Sequence, residues 1–192
     1  MYQVVIIGAG PVGGRLATEL SSRGISTLMV EEHAEIGRPF QCAGLVNPPA
    51  MDAVNLHETI LQNIDGAKIH SPTGIMVPVG REGRTRTHVV CRKKFDQGVV
   101  AQAMSAGAHL WLLSRPIEAN VCNDGVEIKI EREGEIIDIK CNLLIGADGA
   151  HSWTRRHFKL GRPKEMMIGF QADVSGLTGE DNFSSSIKSP IV

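Results

Sequence analysis

The chain has 192 residues, 42% hydrophobic and 21% charged, a profile that fits a globular fold of one or two domains. Lys and Arg number 20 against 21 Asp and Glu, and the net charge of −1 removes the basic excess expected of a nucleic-acid binder. No apolar run approaches the ~20 residues of a membrane-spanning helix, and the N-terminus enters a strand without a charged-then-apolar leader, so a cytoplasmic protein is expected.

The first elements form one unit. Val4-Val5-Ile6-Ile7 reads as a strand. Gly8-Ala9-Gly10-Pro11-Val12-Gly13 follows and opens a helix predicted from Val12 to about Arg23. Thr27-Leu28-Met29-Val30 is a second apolar run, which stops at Glu31. Strand, glycine turn, helix, strand and acid in this order make the βαβ pattern of a dinucleotide-binding fold. Gly8 permits the tight turn, Gly10 lets a pyrophosphate approach the backbone, and Gly13 lets the helix pack on the sheet. The helix N-terminus offers free N–H groups and partial positive charge to phosphates. Glu31 can accept hydrogen bonds from ribose hydroxyls. Its charge would repel a 2′-phosphate, which argues against NADP. Glu31 is expected at an exposed strand end.

An NAD-type fold would continue with a third strand and helix close by. Instead, Gly37-Arg38-Pro39-Phe40-Gln41-Cys42-Ala43-Gly44 predicts a long loop. Residues 48–56 predict a short helix. Residues 67–70 and 75–79 flank Pro72-Thr73-Gly74 and predict a hairpin, with another strand at 87–90. Phe95, Val99, Ala103 and Ala106 recur at helical spacing, so 92–105 is an amphipathic helix with Gly107 as its C-cap. Residues 109–113 read as a strand. Residues 117–121, 126–131 and 136–141 read as a meander, turning at Asn123-Asp124-Gly125 and at Arg132-Glu133-Gly134-Glu135. Leu143-Leu144-Ile145 reads as a separate short buried strand leading into Gly146-Ala147-Asp148-Gly149. A helix over 152–158 and a strand over 167–174 complete the pattern.

The fold class expected is α/β. A Rossmann-like nucleotide domain over 1–65 and 91–165 carries a central parallel sheet plus a β-meander. An incomplete β-rich substrate domain over 66–90 and 166–192 interrupts it. The chain ends at Pro190-Ile191-Val192 with that second sheet still short of strands. A fragment and a truncated product both fit this pattern.

Cys42, Cys91, Cys122 and Cys141 form no CxxC pair, so no zinc knuckle or thioredoxin-like motif is present. The last three lie in or beside apolar runs and are expected as small core residues. Cys42 stands apart in the glycine-rich loop. The seven His are scattered, without metal-ligand spacing.

The turn GAGPVGG ending its unit at Glu31, the loop GRPFQCAGL, Arg92 before a helix, and GADGAHS together resemble the FAD-dependent oxidoreductases of p-hydroxybenzoate hydroxylase type. Within them, the Cys42 loop and Cys91-Arg92-Lys93-Lys94-Phe95-Asp96 are similar to the archaeal geranylgeranyl reductases. The resemblance implies that FAD is the cofactor. It implies that Gly8, Gly10, Gly13 and Gly14 cradle the FAD pyrophosphate and Glu31 holds the adenosine ribose. Arg92 would face the cofactor with a fixed fork of donors; read alone, it is a solvated cation beside Lys93 and Lys94. Ala119 would contact the adenine through its backbone. Asp148 and Gly149 would lie by the FAD; read alone, they are an ordinary turn. Cys42, Ala43 and Gly44 would lie near the flavin, with Cys42 either tuning the ring or standing by as a loop thiol. Arg38 reads as an anion contact or, more simply, a surface cation. No catalytic acid is identified.

The family's later Gly-Asp motif and aromatic-rich substrate motif are not among these residues. The implied activity is FAD-dependent reduction of double bonds in geranylgeranyl or related prenyl chains of archaeal-type membrane lipids. It implies a prenylated lipid substrate, an electron donor (ferredoxin or reduced nicotinamide) and peripheral membrane contact. An aromatic-ring monooxygenase, and a non-catalytic flavoprotein or electron-transfer protein, are the alternatives.

Overall fold

The computed structural model describes residues 1–40 and 42–166, so the strand expected over 167–174 lies outside the described residues. The chain divides into two compact units. One is Met1–Phe40 with Lys93–Met166; the other contains residues 42–92.

The first unit begins with β1 (Tyr2–Ile7), α1 (Pro11–Ser21) and β2 (Thr27–Val30). The two strands pair in parallel, Val4 opposite Thr27 through Ile7 opposite Val30. Val5, Ile6, Leu28 and Met29 are 0% exposed, as continuous apolar runs require when both faces of a parallel sheet are covered. α1 buries Gly13, Gly14, Ala17 and Ser21 at three- and four-residue spacing. It ends where Gly24 turns left-handed (φ 76°) and Ile25 N–H reaches back to Leu20 O.

The second unit contains β3 (Leu45–Val46), α2 (Pro48–Val54), a short 3-10 turn at His57–Thr59, β4 (Ile60–Ile64), β5 (Gly66–His70), β6 (Met76–Gly80) and β7 (Thr87–Val90). Asn47 caps α2 by accepting from Ala50 N–H at 2.9 Å, with Pro48 at the first helical position. β7 is central to a three-stranded sheet, flanked by β3 and β4, while β5 and β6 form the expected hairpin. The sequence reading gave residues 41–65 to the nucleotide domain. The structure groups them with the second unit because β3 and β4 both pair with β7, and sequence periodicity does not reveal that pairing.

After Arg92, which belongs to the second unit and begins α3 (Arg92–Ser105), the first unit resumes with the rest of that helix, β8 (His109–Trp111), β9 (Ser114–Cys122), β10 (Gly125–Arg132), β11 (Glu135–Gly146) and α4 (Trp153–His157). Its six-stranded sheet runs β8-β2-β1-β11-β10-β9. β8 pairs in parallel with β2. It is the third parallel strand that seemed missing after Glu32, delayed in sequence by the second unit.

The separate strand expected at 143–145 is corrected. β11 is one strand that pairs antiparallel with β10 in its first part and parallel with β1 in its second. Fully buried Cys141 is where the two pairings meet, opposite Val126 on one side and Tyr2 on the other. Leu143, past the end of β10, is exposed rather than buried. Cys91 and Cys122 are half-buried, so only Cys141 is the core thiol expected of all three.

Strand alternation divides the core between two faces. Val4, Ile6 and Met29 face Ala17 of α1 and Val100 and Ala103 of α3. Val5, Ile7, Leu28 and Val30 face Ala119, Ile128 and Ile130 of the meander. Helices therefore cover one face of the sheet and the meander the other.

Candidate functional site

The glycine turn sits at the C-terminal ends of β1 and β2, where open parallel sheets bind ligands. Gly8 has φ 100° and donates its N–H to Val30 O at 2.8 Å. A Cβ on Gly8 would lie 2.5 Å from Ala147 O, so the turn rests directly on the segment leaving β11. Ala147 N–H in turn donates to Ile7 O at 2.7 Å. The two motifs at opposite ends of the sequence reading, Gly8–Gly13 and Asp148-Gly149, are thus neighbours.

The other glycines of the turn differ in what surrounds them. A Cβ on Gly13 would lie 2.0 Å from Gly8 O, which presses the first turn of α1 onto the loop. A Cβ on Gly14 would lie 2.8 Å from Val99 of α3, and Gly14 N–H already donates to Gly10 O. Gly14 therefore serves close packing of α1 on α3. Gly10 is the opposite case, with nothing within 4 Å of its Cβ position. The N-terminus of α1 has no side-chain cap and no acidic residue in its first turn. First-turn amides have no intrahelical acceptor, so an open, positively polarised surface lies beside Gly10. This donor set fits a pyrophosphate.

Glu31 closes the turn from β2. Its Oε2 accepts from Ala9 N–H at 3.0 Å, and its Oε1 accepts from His33 N–H at 3.1 Å. Oε1 also lies 2.6 Å from His33 Nδ1, which donates to it. The expected exposed position is corrected: the side chain is only 15% exposed, because the carboxylate folds back over the glycine turn. His33 was not foreseen, although Glu-x-His at a strand end places an imidazole within reach of the acid.

Asp148 spends its carboxylate on α4. Oδ2 accepts from Thr154 N–H at 2.9 Å and from Thr154 Oγ1 at 3.0 Å, while Ser152 Oγ accepts from Arg155 N–H at 2.9 Å. Two orphan amides of the first turn are thereby capped. A Cβ on Gly146 would lie 2.7 Å from Thr154 Cβ, so α4 seats on the end of β11. Burial alone would push the Asp148 carboxyl up from its ordinary 3.8, but hydrogen bonds from Ser152 and Thr154 outweigh it and hold the group lower. Gly149, at φ 71°, has open space at its Cβ position.

Asp148→Ala is expected to cost about 1–2 kcal/mol at pH 7, the scale of a lost helix cap. The carboxyl is depressed in the folded state, so its contribution is complete above 3.8 and fades as pH falls below that value toward the folded-state pKa. Thermal unfolding of both proteins from pH 7 downward checks this. A difference that does not narrow in acid would show that the charge is not what caps α4.

Ala119, on edge strand β9, is buried. Its N–H donates to His157 Nε2 at 3.2 Å, and its carbonyl oxygen lies 2.6 Å from the same nitrogen. The main-chain pair expected to meet adenine therefore faces the His157 imidazole, itself stacked on Trp153 at 4.5 Å.

The remaining candidates lie in the second unit. Cys42 and Ala43 are exposed, and Gly44 is buried at φ 80°. A Cβ on Gly44 would lie 2.5 Å from Val90 O and 3.4 Å from Arg92 Cγ. Gly44 O accepts from Val90 N–H at 2.8 Å. The loop thus packs on the end of β7 beside half-buried Arg92, the first residue of α3. In the first unit, Arg38 lies 4.6 Å over the Phe40 ring and 3.9 Å from Glu35, in keeping with a surface cation.

A βαβ unit with an open glycine turn, an acid at the end of β2 and a meander over the sheet defines a dinucleotide-binding protein of the flavoprotein type. Residues 1–189 match the FAD binding domain family, and the chain belongs to that family. FAD is the dinucleotide such a domain holds. The chain is 34% identical over 160 residues to digeranylgeranylglycerophospholipid reductase of Picrophilus torridus, covering 79% of this chain and 40% of that one. It is 31% identical over 189 residues to digeranylgeranylglycerophospholipid reductase 2 of Methanopyrus kandleri, covering 94% and 46%. The chain therefore spans less than half the length of these curated relatives. Among solved structures, it is similar to a geranylgeranyl bacteriochlorophyll reductase-like protein of Thermoplasma acidophilum, with TM-score 0.71, 30% identity and coverage of 78% and 39%. It is also similar to OxyS anhydrotetracycline hydroxylase of Streptomyces rimosus, with TM-score 0.68, 26% identity and coverage of 82% and 34%. Among the described residues, no helix is long and apolar enough to cross a membrane.

Proposed function

We propose that this protein acts in the FAD-dependent reduction of carbon–carbon double bonds in the geranylgeranyl or related prenyl chains of membrane lipids. The observation that carries this reading is the similarity to a digeranylgeranylglycerophospholipid reductase across 94% of the chain. FAD, when bound, supplies the hydride for such a reduction. Gly8, Gly10 and Gly13 form the pyrophosphate seat, and Glu31 offers its carboxylate to the adenosine ribose hydroxyls. Arg92 offers its fork of N–H donors to phosphate or ribityl oxygens. Asp148 and Gly149 hold the segment on which the glycine turn rests. A prenylated lipid as substrate and a separate electron donor, ferredoxin or reduced nicotinamide, follow from the same reading.

The test is anaerobic reduction of the FAD-loaded protein followed by mixing with a digeranylgeranylglycerol phospholipid. Saturated lipid in the mass spectrum is the expected product. The similarity to an anhydrotetracycline hydroxylase favours a second reading, ring hydroxylation, for which oxygen uptake with a hydroxylated product is the signature.

Cys42→Ser is expected to shift the flavin reduction potential or the rate of prenyl-lipid turnover while leaving FAD content nearly intact. The thiol is exposed, and the glycine turn and Glu31 are formed without it, so its chemistry is expected to separate from cofactor retention. A redox titration and a single-turnover assay check this. Identical potentials and rates would make Cys42 a bystander and weaken the reductase reading, leaving FAD binding untouched.

A further inference from the structure

We infer that the strip from His151 to Met166 is a docking surface for an anionic lipid bilayer. From His151 to Met166 the sequence carries Arg155, Arg156, Lys159, Arg162 and Lys164 against a single acid, Glu165, in a chain whose net charge is only −1. A run of charge is ordinarily a solvated face, and three observations set this one apart.

The first is the absence of neutralisation. Elsewhere in the same unit, many surface cations are matched, among them Arg15 with Glu19, Lys93 with Glu35, Arg115 with Glu131, Lys129 with Glu118 and Lys140 with Asp124. Among the described residues, no cation of the strip has a carboxylate ion-pair partner. Arg155 and Arg156 turn to the main-chain carbonyls of Gly161 and His151. Within the strip only Glu165 offsets the five cations, which leaves a net positive field there.

The second is that the first part of the strip, to Gly161, is held in shape. After α4, Lys159 N–H donates to Arg156 O at 3.3 Å and Leu160 N–H to Arg155 O at 3.0 Å. Lys159 (φ 53°) and Gly161 (φ 93°) both turn left-handed, and the Arg155 guanidinium ties Gly161 back to the helix. Arg155, Arg156 and Lys159 are presented by α4 and a fixed turn, which lowers the entropy lost on docking for that part of the strip.

The third identifies the partner. Leu160 is 69% exposed between Lys159 and Arg162, and Met166 is 62% exposed beyond Lys164. An acidic protein would be recognised by the charges alone. Exposed apolar side chains interleaved with Lys and Arg are the pattern of an interfacial segment, whose apolar groups enter the acyl boundary while its cations meet lipid phosphates. The inference rests on the lipid-substrate reading only for its purpose in the cell. Its test reads binding without turnover, so the two fail separately.

The experiment is cosedimentation of the full FAD-loaded chain with vesicles of phosphatidylglycerol and phosphatidylcholine, or of phosphatidylcholine alone, at low and high salt. Binding is expected only with the anionic vesicles and should fall as salt rises. The combined variant Lys159→Glu, Arg162→Glu and Lys164→Glu should reduce partitioning by roughly 100-fold or more, at about fivefold per cation removed. Leu160→Ser with Met166→Ser should weaken binding while keeping its salt dependence. These positions are all exposed, and an unchanged circular dichroism spectrum confirms folding. Wild-type protein left in the supernatant at low salt, or equal binding by the charge-reversed variant, would overturn the inference. Retention on polyglutamate without vesicle binding would overturn it in favour of an acidic protein partner.

Discussion

Gly13→Ala strips the protein of FAD and destabilises it by about 3 kcal/mol, the upper range for overpacking. The added Cβ would lie 2.0 Å from Gly8 O, a main-chain atom fixed by the Gly8–Val30 hydrogen bond and by the contact of Gly8 with Ala147. No flexible side chain is available to yield, so α1 must lift from the turn, and the pyrophosphate seat goes with it. Gly10→Ala separates binding from folding. Gly10 has φ −73° and nothing within 4 Å of its Cβ position, so Ala there is neutral or slightly stabilising. Its Cβ would, however, occupy the open side where the phosphates are expected. Gly10→Ala should therefore keep its melting temperature and lose FAD affinity, while Gly13→Ala loses both. Calorimetric unfolding and FAD titration of the pair check this. FAD affinity unchanged in Gly10→Ala would mean that the open side of the turn is not the pyrophosphate site.

This contrast also marks how far the sequence could be read. GAGPVG between two apolar runs announces a tight turn, a close helix and an open backbone, and the structure gives Gly8, Gly13 and Gly10 those separate environments. Gly14 looks equivalent on paper, and its close contact with Val99 on α3, far along the chain, is not legible locally. The meander was legible because Glu133 and Gly134, both at positive φ, form the two-residue turn that right-twisted hairpins prefer. The place of β8 beside β2 was not legible, since nothing local records a partner on the far side of an intervening unit. The same holds for β3 and β4, short segments whose strand character comes from pairing with β7. Asp148 is the sharpest case. Its motif points to a ligand, yet its carboxylate is committed to Thr154, because a short helix needs its first amides satisfied before any cofactor arrives.

Glu31→Arg weakens FAD binding by about 1–3 kcal/mol, the scale of lost hydrogen bonds to a charged group. The structure adds a cost to folding. The carboxylate accepts from Ala9 N–H and His33 N–H and lies against the His33 ring, and Arg supplies donors to three groups that need an acceptor. The melting temperature should therefore fall, although the side chain retains enough exposure for a guanidinium to swing outward and the fold to survive. Glu31→Gln should fall between, keeping one oxygen for Ala9 while losing the charge. Isothermal titration with FAD and circular dichroism on the three proteins separate the effects. Affinity that stays level from Glu to Gln to Arg would remove Glu31 from the ribose site and leave it as a brace for the glycine turn.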